Sequence, residues 1–77
     1  MSKEHIQDAV LQSLQGYFAG LGEEKPADVY NMIIHTVEKA VFAEVMKQAK
    51  SNQSLAAQML GINRNTLRKK LLEHELL

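Results

Sequence analysis

A chain of 77 residues, 45% of them hydrophobic, makes one domain, and at that length folding buries only roughly 60% of the surface exposed by the unfolded chain. With no cysteine, disulfides and zinc-finger patterns are excluded, and His5, His35 and His74 stand too far apart in sequence for a local ligand set. The net charge of zero hides two ends of opposite sign: residues 1–46 hold three basic against seven acidic side chains, a net of −4, and residues 47–77 hold six against two, a net of +4.

Small domains without disulfides or metals are usually stabilised by self-association, so a homodimer without a cofactor is the expectation. No acidic residue occurs between Lys47 and Leu72, and a polyanion is the natural partner for that end, set against the plainer reading of a solvated basic face. No apolar run is long enough for a membrane span, and Met1-Ser2-Lys3-Glu4-His5 leads into an amphipathic pattern rather than a signal-peptide core. The expectation is a soluble cytoplasmic protein without a small-molecule substrate.

Along the chain, Ile6, Val10, Leu14, Tyr17, Phe18 and Leu21 recur at steps of three and four, which predicts a first helix over residues 3–19. Gly20-Leu21-Gly22 suits its C-terminus. Pro26 suits the first turn of a second helix, and Asp28 its dipole. That helix is expected to run to about Lys50, roughly 25 residues or about 37 Å, longer than a small monomer needs for its core. Its apolar set, from Val29 through Ile33, Val37, Val41 and Val45 to Ala49, is wider than one stripe. The first helix covers one side, and the same helix of a second copy is the simplest cover for the other. The division expected is dimerisation helices over 1–50 and a separate unit over 51–77.

In that second unit, Ser51-Asn52 caps a helix from Gln53 to Leu60, Gly61 ends it, Ile62 fills the turn, and Asn63 caps a last helix from Arg64 to about Glu73. With no strand-like alternation in the chain, the fold class is all-α, a four-helix subunit. Gln53–Leu71 has the composition of a helix-turn-helix: Ala56 and Ala57 allow a close crossing, and Leu55, Met59, Leu60, Ile62, Leu67 and Leu71 would form the wedge between the helices. The start of the last helix, Asn63, Arg64, Asn65 and Thr66, is the part that enters a major groove in this motif. Arginine recognises guanine and asparagine adenine through paired hydrogen bonds, whereas Arg68, Lys69 and Lys70 suit phosphate. The plainer reading is a helical hairpin whose glycine and asparagines only cap and whose basic residues serve solubility. His5, His35 and His74 read as surface or interface residues, and no nucleophile-base pairing or phosphate loop is visible, so the chain is not expected to be an enzyme.

Asn52-Gln53, Ala56-Ala57, Gly61-Ile62-Asn63-Arg64 and Thr66-Leu67-Arg68-Lys69-Lys70-Leu71, with Tyr17-Phe18-Ala19 and Val29-Tyr30 upstream, resemble the Fis (factor for inversion stimulation) family of bacterial nucleoid-associated regulators. The resemblance implies an intertwined dimer whose first two helices form the core and whose last two bind double-stranded DNA. It assigns base contacts to Asn63 and Arg64, and backbone contacts to Lys50, Asn52, Ser54, Thr66, Arg68, Lys69 and Lys70. Asn65 is a further candidate contact. It also implies DNA bending, because the paired recognition helices lie closer than one DNA turn, and a role in transcription regulation with RNA polymerase as a protein partner.

The chain departs from the family pattern at several positions. Leu55 and Leu72-Glu73 replace basic residues, Asn65 replaces a glycine, and Ala40 replaces a proline, so the helix kink usual there should weaken or vanish. The sequence starts at the first core helix, so the arm by which Fis activates DNA invertases is expected to be missing. Two other readings remain: a detached DNA-binding output domain of a nitrogen-regulator-class activator, and a helical protein-interaction module.

Overall fold

The computed structural model describes residues 2–77, and these form four helices and no strand: α1 (Lys3–Gly20), α2 (Val29–Gln48), α3 (Gln53–Leu60) and α4 (Arg64–Glu73). The fold class is the all-α one expected. No helix among the described residues is long and apolar enough to cross a membrane.

Ser2 starts α1, its Oγ accepting the His5 N–H at 3.4 Å, and Glu4 places a negative charge in the first turn, where the helix dipole favours it. The helix ends at Gly20, with Gly22 at φ 62° completing the turn. No residue of α1 is buried within the single chain, and Ile6, Leu11 and Phe18 leave about half of their surface in solvent. Among the described residues α1 has the apolar period of a packed element but takes no part in the core.

The start of α2 differs from the sequence expectation. Pro26 lies in the connector ahead of the helix, and Asp28 stands at the N-cap with φ 54° and makes no capping bond. The left-handed turn at Asp28, a conformation that aspartate tolerates, breaks helical continuity between Pro26 and Val29. Its carboxylate instead accepts the Asn31 side-chain N–H at 2.8 Å. The helix runs unbroken through Ala40, where no proline interrupts it, and stops two residues short of Lys50. Lys50 and Ser51 turn left-handed, at φ 53° and 66°, and their N–H groups bond back to Lys47 O at 3.1 Å and Met46 O at 2.9 Å. The 20-residue helix is about 30 Å long rather than 37 Å.

The core sits where the C-terminal half of α2 meets α3 and α4: Phe42, Ala49, Ala56, Ala57, Leu67 and Leu71 are buried, with Val45, Met46, Leu60, Ile62 and Leu76 packed around them. The wedge differs from expectation in two places. Leu55 and Met59 are 42% and 51% exposed, and Ala56 and Ala57 form the crossing. Ala56 and Ala57 define the inner side of α3, and the step of 100° per residue carries Leu55 and Met59 away from it while returning Leu60 to it. Gly61, at φ 74°, closes α3 with a Schellman turn, its N–H on Gln58 O at 3.2 Å and the Ile62 N–H on Ala57 O at 3.1 Å.

Candidate nucleic-acid interface

Each helix of the α3–α4 unit starts on an asparagine cap. Asn52 Oδ1 accepts the Leu55 N–H at 3.1 Å, and Asn63 Oδ1 accepts the Asn65 N–H at 2.7 Å. Each cap satisfies one of the orphan donors of a helix start, and the remaining N–H groups there favour an anion.

On α4 the buried residues Leu67, Leu71 and His74 follow one another at steps of four and three, which defines the inner stripe. A step of 100° per residue puts Asn65, Lys69 and Leu72 on the opposite side, with Arg64 and Arg68 on one flank and Thr66, Lys70 and Glu73 toward the other. Asn63, Arg64, Asn65, Thr66, Arg68 and Lys69 are all exposed, so the structure gathers them at the free surface of one helix and its start. Lys50, Asn52 and Ser54 are exposed beside them at the α2–α3 link and the start of α3.

Lys70 stands apart from this group. Its ammonium lies 3.3 Å from Glu38 of α2 and 3.5 Å from Glu73, and its side chain is only 35% exposed. Glu38 Oε1 also lies 3.0 Å from Nε2 of His74, and this histidine, expected at the surface or an interface, is 2% exposed within the single chain. The imidazole fills the space at the end of the α4 stripe, with ring centres 5.8 Å from Phe42 and 4.4 Å from His35. The hydrogen bond from His74, reinforced by Lys70, holds the Glu38 carboxyl below its ordinary value, and Glu38 in turn raises Lys70 above its own. Glu38, Glu73 and His74 carry metal-ligand atoms within 4.8 Å of one another, and among them Lys70 supplies the positive charge.

Residue types and order do not single out Glu38 and His74 as site residues, because 36 positions separate them. The signal lies in the spacing. Glu38 stands four residues before Phe42 and seven before Val45, on the inner face of α2, and His74 continues the Leu67–Leu71 stripe.

Residues 33–74 match the model of a family described as bacterial regulatory protein, Fis family. A Fis-like DNA-binding protein of Ralstonia nicotianae is 48% identical over 77 residues, all of both chains. One from Neisseria meningitidis is 50% identical over 72 residues, 94% of this chain and 91% of that one. The DNA-binding protein Fis of Proteus vulgaris is 42% identical over 71 residues, 92% of this chain and 76% of that one. With the family match covering α3, α4 and most of α2, and relatives aligned along nearly the whole chain, this protein belongs to the Fis family of bacterial regulatory proteins.

Proposed function

We propose that the chain is the subunit of a homodimer that binds and bends double-stranded DNA, with α4 in the major groove, and acts in transcription regulation and nucleoid organisation. The observation that carries this reading is the two-sided character of α4: Leu67 and Leu71 are fully buried, while Asn63, Arg64, Asn65, Arg68 and Lys69 face solvent. DNA-binding relatives along the whole length support it. The protein works without a cofactor and without catalysis, and RNA polymerase is its proposed protein partner.

In this reading Arg64 takes the edge of a guanine. Asn63 already gives its Oδ1 to the helix cap, so it acts as a donor through its amide N–H groups toward a base acceptor. Arg68, Lys69 and Thr66 hold phosphates from α4, and Lys50, Asn52 and Ser54 do so from the α3 side. Asn65, exposed at the first turn, is a further contact.

The uncovered α1 supports the dimer. Of the large exposed apolar residues, Ile6, Leu11, Phe18, Tyr30, Met32, Ile34, Val37 and Val41 all lie on α1 or α2. Burial in a second copy is worth about 1.5 to 3 kcal/mol for each such side chain fully covered. Gel-shift titration on a Fis-type site and on random duplex, at two salt concentrations, together with sedimentation of the free protein, tests the reading. A salt-sensitive preference for the site and twice the chain mass are expected; a monomer that ignores DNA would end it.

A further inference from the structure

The two adjacent lysines of α4 have opposite surroundings. Lys69 is exposed on the outer side of the helix, whereas Lys70 is turned back toward α2 and shared between Glu38 and Glu73. One Glu38 oxygen receives both Lys70 and His74, so a single carboxylate on α2 gathers two groups from the C-terminal end of α4. His74 is buried against Phe42 and His35, and a groove of about 220 Å³ lined by Asn31, Ile34, His35, Glu38, Lys70 and Glu73 leaves the tie open along one side. An ammonium already held by two carboxylates offers little positive potential to a phosphate. Drawing it away would also strip Glu38 of one of its two partners.

We infer that Glu38 is a positioning residue for DNA recognition, and that Lys70 acts through Glu38 to set the angle of α4 on α2 instead of touching the DNA backbone. The inference rests on the DNA-binding reading above and reassigns one residue within it. Because α2 is also the helix through which the two subunits would associate, the angle it imposes on α4 sets how far apart the two recognition helices stand. That separation is what a bent site senses and what random DNA does not.

Lys70→Met keeps the aliphatic stem and removes the charge. Its affinity for a Fis-type site, measured by fluorescence anisotropy over a series of salt concentrations, should fall by roughly 3- to 30-fold, the range for residues acting through a neighbour. The salt slope should stay that of the wild type, and affinity for random duplex should change little. A loss of folded protein would lower both affinities together, so the ratio between them separates positioning from mere instability. If Lys70 held a phosphate, its removal would flatten the slope by about one unit for each phosphate no longer neutralised, and that result overturns the proposal. The charge exchange Glu38→Lys with Lys70→Glu is the second arm, with every variant of this arm made in a Glu73→Gln background so that the new carboxylate does not face Glu73. It should recover site affinity relative to either single change, with His74 accepting from the new ammonium; a double variant no better than Lys70→Glu alone would place residue 70 against phosphate and again overturn it. Wild-type protein that binds no duplex would remove the DNA reading itself, an outcome distinct from wild-type binding with a flattened Lys70→Met slope.

Discussion

In the proposed DNA complex, Arg64 and Lys69 take different tasks although both are exposed on α4. Arg64 flanks the exposed start of α4, and Arg64→Ala should cost about 1 to 3 kcal/mol on the best site and little on random DNA, measured by competition binding. Lys69→Ala should weaken all sequences alike and reduce the salt slope by about one unit for each phosphate it neutralises. Glu38 adds a pH dependence. Its folded-state pKa is lowered, chiefly by the His74 hydrogen bond, so its stabilising effect is present above its unfolded value of 4.5 and is lost as pH falls through the lowered folded value. Lys70 is the mirror case, its contribution present below 10.5 and lost as pH rises through its raised folded value. Melting of the wild type and of Glu38→Gln should therefore differ near neutral pH and converge in acid. Curves that stay apart at every pH would assign the difference to shape rather than charge. At this scale the exposed residues are readable from sequence by their types and order. The Glu38–His74–Lys70 tie is not, since charge pairing across 36 positions depends on which faces of two helices meet.

Three helix ends share one solution at the level of elements. α2, α3 and α4 each close with a residue in the left-handed region followed by a bond from i+5 back to i: Ser51 to Met46, Ile62 to Ala57, and Leu76 to Leu71. Only the second uses glycine; the others place Lys50 and Glu75 there, at φ 53° and 58°. An L-residue in that conformation costs roughly 1 to 2 kcal/mol, partly offset because glycine leaves a freer unfolded chain. Glu75→Gly should accordingly raise stability by about 0.5 to 1 kcal/mol and Tm by a few degrees at fixed protein concentration, read by circular dichroism. A lower Tm would mean that the carboxylate has a partner worth more than the strain. The same feature explains which boundaries are legible. Both limits of α3 and the start of α4 can be read because asparagine caps and Gly61 mark them in the sequence. Those of α2 cannot, because Asp28, Lys50 and Ser51 make left-handed turns without a glycine to announce them.

For the whole molecule, the core lies at one end of an elongated chain measuring 45 × 27 × 17 Å, while α1 contains no buried residue. The proposed dimer therefore completes the fold of the N-terminal half. Val41, 42% exposed in the single chain, becomes an interior position in it, and Val41→Asp should abolish association because the charge would have no partner there. Sedimentation showing an intact dimer of that variant would place the interface elsewhere. The wild-type melting temperature should also rise with protein concentration, as it does when folding and association are linked. Bending offers one more test at this scale. Leu55 is exposed on the outer side of α3, and Leu55→Arg should increase the bend measured with circularly permuted fragments by drawing flanking DNA inward.

If the proposed dimer forms by covering α1, the amount of protein becomes an input to DNA occupancy. A single chain retains the small core around Leu67 and Leu71 but presents only one reading helix. While most chains are unpaired, the supply of two-headed readers grows as the square of total chain concentration. Each target would then fill more steeply than in proportion to the total protein, and empty as steeply on dilution, with no effector molecule needed.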